Sequence, residues 1–176
     1  MANFEDAHRF VAAAEGGFQA DPRDAGNWTG GRVNRGRLVG THYGIAAPTL
    51  RAWRGRDVSR ADMEALTEAE AEQIYRARYW APYGFDALDP QLATLLYDGT
   101  VNQGPGLLRR ALLYTFGHLN LTVYQRATTA ELVARAATLD PAAVHELVWQ
   151  YRRDQYPAAS PFYRGWLRRL DQLRRA

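Results

Sequence analysis

An acidic residue, Glu15, closes an apolar run directly before two glycines, in the stretch AEGGFQADPRD. At about 100° per residue, the apolar side of the preceding helical segment carries Phe4, Ala7, Val11 and Ala14, and Glu15 falls inside the same stripe. Its carboxyl group would then face the interior or a cleft, at the negative end of a helix dipole. Both conditions oppose ionisation, so the pattern predicts a raised pKa for Glu15.

A carboxylic acid that stays protonated near neutral pH can donate a proton to a leaving oxygen, as glycosidic bond cleavage requires. That reaction also needs a second group that stabilises positive charge or activates water, and Asp21, Asp24 and Thr41 lie on the polar segment that follows. Each residue has a plainer alternative. Glu15 suits an ordinary helix end, Asp24 suits a turn after a proline, and Thr41 suits a simple strand position.

Helical signals dominate the chain, and strand signals are confined to one segment. Asn3 can cap a first helix that runs to about Glu15 and stops at the two glycines. The segment RLVGTHYGI has the alternation and the turn residues of a small β-hairpin. Apolar periodicity, prolines and capping residues predict further helices around residues 48–53, 67–80, 92–99, 108–116, 132–136, 141–151 and 162–173.

The composition favours one mainly α-helical domain spanning residues 1–176. The chain has 176 residues, of which 47% are hydrophobic and 12% aromatic, enough for a substantial core, and it shows no internal repeat or long linker. It contains no cysteine, which excludes disulfides, thiolate metal sites and thiol catalysis. No window approaches the roughly 20 apolar residues that span a bilayer, and no signal peptide is obvious, so we expect a protein made in soluble form.

All 22 basic residues are arginines, and they are unevenly balanced by acids. Residues 1–100 carry 11 arginines against 14 acids, whereas residues 101–176 carry 11 arginines against 5 acids. A basic half can attract nucleic acid, anionic lipid or wall polymers. We do not expect nucleic-acid binding, because the front half is acidic and no basic cluster has recognition-helix spacing.

The last predicted helix has an apolar stripe ringed by arginines. The stripe comprises Phe162, Trp166, Leu170 and Leu173. This pattern is typical of a terminal helix packed on its domain with a solvated basic face. Alternatively, such a helix binds anionic lipid or lipopolysaccharide at an envelope surface.

Five sequence blocks stand in order along nearly the whole chain: AEGGFQADPRDAG, GTHYGIAAPTLRAW, YRARYWAPYGFDAL, YDGTVNQGPGLLRRAL and FYRGWLRRL. Together they resemble glycoside hydrolase family 108, the phage and bacterial N-acetylmuramidases. The resemblance implies a lysozyme-like helical domain with a small β-hairpin. The catalytic glutamate and the hairpin would lie in residues 1–60, and a basic helical C-terminal part would span about 118–176.

The resemblance also implies roles for individual residues. Glu15 matches the family's catalytic glutamate. Phage-type lysozymes place an aspartate nine residues after that glutamate and a threonine on the hairpin, just before a Gly-Ile pair. Asp24 and Thr41 match these positions and join Glu15 as the predicted catalytic residues. Next to Thr41, His42 and Tyr43 are candidates for substrate binding, with ordinary packing roles as the alternative.

Asp98 and Asn102 lie four residues apart, and therefore on one face of one helix. They form either a saccharide-binding edge or a structural network that ties the helix to the hairpin. Two departures from the family's shorter members stand out. A Gly- and Arg-rich loop lies between Gly26 and Gly40, and GHLNLTVYQRATT replaces a G-x-x-G-P-x-T stretch, which leaves open whether the C-terminal part binds cell wall.

These observations predict a muramidase that cleaves the β-1,4 bond between N-acetylmuramic acid and N-acetylglucosamine. The expected partner is bacterial peptidoglycan, the expected state is a monomer, and neither a cofactor nor a metal is implied. The phage-rich family favours an endolysin held in the host cytoplasm until a holin releases it to the wall. The alternatives are a lytic transglycosylase and a non-catalytic peptidoglycan-binding or virion structural protein.

Overall fold

The computed structural model describes residues 1–13, 16–122 and 126–175. Within these residues the chain is mainly α-helical, as predicted. The α-helices are α1 (Phe4–Ala12), α2 (Ala47–Arg54), α3 (Arg60–Glu64), α4 (Glu68–Tyr75), α5 (Pro90–Gln103), α6 (Pro105–His118), α7 (Thr129–Ala136), α8 (Pro141–Asp154) and α9 (Tyr163–Arg175). Short 3-10 helices span Ala25–Asn27, Ala81–Tyr83 and Phe85–Ala87.

The helix starts follow local capping chemistry. The Asn3 side chain accepts a hydrogen bond from the Asp6 backbone N–H at 2.8 Å, which confirms the predicted cap of α1. Asp89, Thr128 and Asp140 cap α5, α7 and α8 in the same way. The last residue of α1 is Ala12, so the helix is shorter than predicted. Glu15 itself lies outside the described residues.

The predicted end of another helix, near Trp80, is confirmed in an unexpected form. Thr67 accepts a hydrogen bond from the Glu70 backbone N–H at 3.1 Å and caps α4. After α4 the chain continues through a π-helical turn, Arg76–Trp80. A π-turn widens the helix by one residue per turn and so changes which side chains face the core.

The predicted β-hairpin is reduced to single residue pairs. Among the described residues there is no continuous strand, and the antiparallel bridges are isolated: Gln19 with Thr41, Trp28 with Leu38, and His42 with Ile45. The last of these encloses Tyr43 at φ 49° and Gly44 at φ 70°, the two successive left-handed residues of a type I′ turn. The turn was therefore predicted correctly and the strands were not.

The reason lies in where the backbone groups of this segment find their partners. Val39 and Gly40 both donate to the Asn27 carbonyl, at 2.9 and 3.1 Å, while Thr41 pairs with Gln19. A strand needs successive residues to pair with one neighbouring strand. Here the partners belong to separate turns, so a ladder cannot develop.

The chain forms two compact units, Arg9–Arg76 and a larger one made of Met1–His8 and Ala77–Ala176. In the larger unit, α5 packs against α6 and α8. The buried Trp80 ring meets Phe4, Phe85 and Tyr97 edge-to-face at 5.7, 5.4 and 5.4 Å. This geometry is favourable for aromatic rings, so Trp80 serves the core. The prediction that residues 1–176 form one domain stays a prediction.

Helix α9 packs its apolar stripe onto the larger unit. Leu170 and Leu173 are buried, and the Trp149 indole N–H of α8 donates to the Leu170 carbonyl at 3.1 Å. Phe162, at the start of the stripe, is 67% exposed. Two of the four stripe residues are thus buried and Trp166 is half-buried, as expected for a terminal helix that packs within the chain. Among the described helices, none combines the length and the apolar character needed to cross a bilayer.

Candidate active site

The smaller unit contains a hydrogen-bonded network centred on Asn27, which is fully buried. Its amide Nδ2 donates to Gln19 Oε1 at 2.8 Å and to the Asp21 carbonyl at 2.9 Å. Its Oδ1 accepts from Thr41 Oγ1 at 2.6 Å. Because the hydroxyl proton of Thr41 is used in this bond, the lone pairs of its oxygen remain available to accept a hydrogen bond from a water or a substrate.

Asp24 belongs to the same network. Its Oδ1 accepts from the Gly26 backbone N–H at 2.8 Å and thereby caps the 3-10 helix Ala25–Asn27. Its Oδ2 accepts from Gln19 Nε2 at 3.1 Å. The side chain is exposed to solvent, yet both carboxylate oxygens are oriented by donors. The predicted pair of Asp24 and Thr41 is therefore brought together through Gln19 and Asn27.

The point where Asp24 and Thr41 converge lies above Gly26. A Cβ atom built on this glycine would lie 3.3 Å from Asp24 Oδ1 and 3.8 Å from Thr41 Oγ1. The two oxygens thus lie near one point beside Gly26, which is also 3.5 Å from the Ala46 Cβ. Both oxygens can accept hydrogen bonds, so a small polar group close to this point could donate to each of them.

The backbone below Thr41 is fixed by close packing. Thr41 and Gln19 exchange both backbone hydrogen bonds, at 2.9 and 2.8 Å. Gly40, just before, has φ 95°, and a Cβ there would lie 2.6 Å from Phe18 Cε2 and 2.7 Å from the Gln19 carbonyl oxygen. Only glycine combines this backbone angle with such a close approach. The backbone position of Thr41 is therefore fixed by its main-chain bonds to Gln19 and by the close packing at Gly40.

Asp21, the other acid of this segment, is bound differently. The Arg23 guanidinium forms an ion pair with it at 2.7 Å, and the Arg23 backbone N–H also donates to its carboxylate. These hydrogen bonds lower the pKa of the Asp21 carboxyl to about 2. A carboxylate held in this way by a cation accepts protons poorly. Asp24, which faces no arginine in the described hydrogen bonds, is the better candidate for activating water.

His42 and Tyr43 continue the chain beyond Thr41 and are both half-buried. His42 Nδ1 lies 3.1 Å from the Met63 carbonyl oxygen, which can only accept, so Nδ1 carries a proton. The rings of His42 and Tyr43 stack at 4.1 Å with an interplanar angle of 16°. Phe18 meets His42 edge-on at 6.1 Å. The substrate-binding roles of His42 and Tyr43 stay predictions, now attached to a partly exposed aromatic face beside Thr41.

The other predicted pair, Asp98 and Asn102, lies on α5 in the larger unit. Asp98 is fully buried, and its Oδ2 accepts from Arg152 at 2.7 Å while its Oδ1 accepts from Arg169 at 2.6 Å. Asn102 Nδ2 donates to Asp98 Oδ1 at 3.0 Å. A structural network is thus present, but it ties α5 to α8 and α9 and not to the hairpin. A carboxylate without exposed surface has no free face for a sugar.

Sequence reasoning missed Gln19 and Asn27, which link the predicted catalytic pair. Gln19 lies within the AEGGFQADPRDAG block and Asn27 directly follows it, but no local pattern assigns either residue a role, and only the fold brings them beside Thr41. Glu15, the predicted proton donor, lies outside the described residues, and its role stays a prediction.

Comparisons with known proteins find a family that matches the part of the chain containing this network, and a similar solved structure. The family model described as Glycosyl hydrolase 108 matches residues 8–104, a segment that includes the Asn27 network. A solved structure from Brucella abortus, entitled "Structure of Brucella abortus SagA", is similar with a TM-score of 0.71 and 26% sequence identity, over 98% of this chain and 91% of that chain. Among curated proteins, no relative matches. The family match covers more than half of the sequence, and the chain belongs to glycosyl hydrolase family 108.

Proposed function

We propose that this protein is a peptidoglycan hydrolase of the N-acetylmuramidase type, which cleaves the β-1,4 bond between N-acetylmuramic acid and N-acetylglucosamine. Membership of a glycosyl hydrolase family implies a polysaccharide substrate and a hydrolytic reaction. The observation that carries the proposal is the convergence of Asp24 Oδ1 and Thr41 Oγ1 above Gly26, within the matched segment.

In the proposed mechanism, Glu15 protonates the glycosidic oxygen as the bond breaks. Asp24 and Thr41 act on the attacking water, which would occupy the space above Gly26. The Asp24 carboxylate accepts a proton from this water. The Thr41 oxygen accepts a hydrogen bond from the second proton of the water and so orients the lone pair of the water oxygen. Gln19 and Asn27 position the two side chains and do not touch the reacting atoms.

The products of digestion test the reaction itself. Purified sacculi should be digested and the released fragments analysed by mass spectrometry. Reducing muramic acid ends would support hydrolysis, whereas 1,6-anhydro ends would show a lytic transglycosylase, which needs the acid but no water-activating base. Binding of the protein to sacculi without any soluble fragment would instead identify a non-catalytic peptidoglycan-binding or virion structural protein.

The water site gives a prediction for single variants. Asp24→Asn and Thr41→Ala should each lower the rate of wall lysis about 10²-fold, because the first removes the base that takes a proton from the water and the second removes one hydrogen-bond acceptor of the water. Asp21→Asn is the matched control, since it removes a nearby carboxylate that is bound to Arg23, and it should retain most of the activity. Lysis rates are measured on purified sacculi, with folding checked by circular dichroism.

Gly26→Ala probes the same site without removing a polar group. The new methyl group would lie against both oxygens, at 3.3 Å from Asp24 Oδ1 and 3.8 Å from Thr41 Oγ1, and would exclude the water. We expect a folded protein with a strongly reduced rate. Gly117→Ala on α6 is the control, because a methyl group there meets nothing within 4 Å. If Gly26→Ala and both polar variants lyse sacculi at the wild-type rate, the water site is wrong.

The biological setting is inferred from the resemblance to phage lysozymes. We propose a monomeric endolysin that accumulates in the host cytoplasm and reaches the wall once a holin has permeabilised the inner membrane. Cells that express the chain should then remain intact until that membrane is opened. Lysis that begins before permeabilisation would contradict this setting and leave the enzymatic proposal untouched.

A further inference from the structure

We propose that the basic loop between Trp28 and Leu38 binds carboxylates of the peptides attached to the glycan strand, through Arg32 and Arg35. The inference rests on the proposed function, since it assigns a binding role beside the same site. It concerns the segment of the sequence that the catalytic network leaves unexplained.

The loop is built as a rigid projection. Trp28 and Leu38 form an antiparallel bridge at its base. The Thr29 backbone N–H donates to the Arg37 carbonyl, and the Arg37 backbone N–H donates to Thr29 Oγ1, both at 2.9 Å. At the tip, the Gly30 N–H donates to the Arg35 carbonyl at 3.1 Å. The Arg35 N–H donates to the Arg32 carbonyl at 3.0 Å. The turn around Arg32 and Arg35 is therefore closed by backbone bonds.

Glycines make this closure possible. A Cβ on Gly30 would lie 2.8 Å from the Arg35 carbonyl oxygen, and one on Gly36, at φ 79°, would collide with Thr29 Oγ1. Because the backbone of the turn is tightly closed, the side chains at the tip point away from it into solvent. Arg32, Val33 and Arg35 are all exposed, so the two guanidinium groups are presented to solvent on an ordered support.

The charge of this region is strongly one-sided. From Ala25 to Arg56 the sequence contains six arginines and no acidic residue. The three nearest the end of this stretch are neutralised, since Arg51 pairs with Asp57 and both Arg54 and Arg56 pair with Asp62. Arg32 and Arg35 show no ion pair within the part of the chain that the structure describes. A positive potential therefore remains at the loop tip.

Both ends of the loop adjoin, in the sequence, residues of the network around Asn27. Asn27, at the centre of that network, directly precedes Trp28, and Leu38 leads through two residues to Thr41. Beside the base of the loop, a groove of about 400 Å³ is lined by Thr29 and Gly30 of the loop together with Arg51, Arg56 and Asp57. In the proposed complex, a glycan strand held at Asp24 and Thr41 brings its peptides toward Arg32 and Arg35 at the loop tip, where the positive charge is not neutralised.

Peptidoglycan supplies the matching charge. Its stem peptides carry free carboxylates, which guanidinium groups bind through paired hydrogen bonds. Contacts of this kind at an exposed surface are individually weak and are screened by salt. Two of them change binding by about tenfold, which is enough to favour a peptide-bearing glycan over an uncharged one.

The test compares native sacculi with sacculi whose carboxylates have been amidated by a carbodiimide and ammonium. Binding is measured by co-sedimentation, which does not require cleavage, and KM and kcat are measured by release of fragments. For Arg32→Gln/Arg35→Gln on native sacculi we expect about tenfold weaker binding and a higher KM with nearly unchanged kcat. On amidated sacculi the wild type should bind as weakly as this variant, and 0.5 M salt should remove the difference on native sacculi.

The matched control is Arg135→Gln/Arg168→Gln, which removes two exposed arginines of the larger unit and leaves the loop intact. It should bind like the wild type. Equal binding of the loop variant and the wild type to native sacculi would overturn the inference, as would an equal loss for both proteins on amidation. Binding to phosphatidylglycerol vesicles that depends on the loop, with sacculus binding unchanged, would overturn it in favour of a membrane surface. A wild type that binds sacculi through the loop but releases no fragments would refute the proposed hydrolysis alone.

Discussion

Replacing Glu15 with glutamine is expected to lower the rate of peptidoglycan cleavage by about 10³-fold or more. Glutamine keeps the shape of the side chain but cannot donate a proton to the glycosidic oxygen. The expectation rests on the family match, which includes residues 8–104, and on the AEGGF stretch. Zymograms and fragment release from sacculi measure the loss, and thermal unfolding confirms that the variant is folded.

The pH dependence of the wild type gives a second readout of Glu15. The active form is the protonated acid, so activity should fall as the pH rises through the raised pKa that the sequence predicts. Glu5→Gln, on α1 of the same N-terminal segment, is the matched control and should retain the wild-type rate and profile. A folded Glu15→Gln variant that clears a zymogram as strongly as the wild type would refute the assignment of Glu15 as the acid.

The largest expected effect on stability comes from Asp98→Ala in the larger unit. Arg152 is almost completely buried, and besides Asp98 it donates to the Leu95 carbonyl at 2.6 Å and to Gln103 Oε1 at 3.0 Å. Without Asp98 a buried guanidinium has no countercharge, which costs about 3–5 kcal/mol of unfolding free energy. For a chain of this size the loss corresponds to a drop in Tm of roughly 10 °C.

A double-mutant cycle separates this interaction from simple loss of packing. Asp98→Ala/Arg152→Met removes the two almost fully buried charges and keeps the more exposed Arg169, and it should be more stable than the sum of the single variants predicts. Asp154→Asn, which breaks an exposed ion pair with Arg153, is the control and should change the unfolding free energy by less than about 1 kcal/mol. If Asp98→Ala leaves the Tm unchanged but raises KM for sacculi, Asp98 binds substrate and is not a structural anchor.

Local chemistry explains why much of the helical architecture could be predicted from the sequence. A cap such as Asn3, Asp89 or Asp140 bonds to backbone N–H groups two or three residues ahead, so its effect is contained in a few adjacent positions. The type I′ turn at Tyr43 and Gly44 is equally local. These features would be the same in almost any fold that accommodates the segment.

The strands and the partners of buried polar groups could not be predicted in this way. A strand exists only if another segment presents a matching edge. Here the backbone N–H groups of Val39 and Gly40 donate to Asn27, whereas that of Thr41 donates to Gln19. Asp98 shows the same dependence. Its spacing from Asn102 fitted both a binding edge and a structural network, and the burial of Arg152 against Gly99, where a Cβ would lie 3.0 Å from the guanidinium, decides the contact.

The sequence by itself determined the family, the helical class and the candidate residues Glu15, Asp24 and Thr41, because these follow from short motifs and from periodicity. Only the tertiary structure decided which of the candidates lie in one hydrogen-bonded network. Asp24 and Thr41 are 17 positions apart, and a chain of hydrogen bonds connects them: Thr41 donates to the buried amide of Asn27, Asn27 donates to Gln19, and Gln19 donates to Asp24. Such contacts depend on chain closure over many residues, and no local pattern of residue types encodes them.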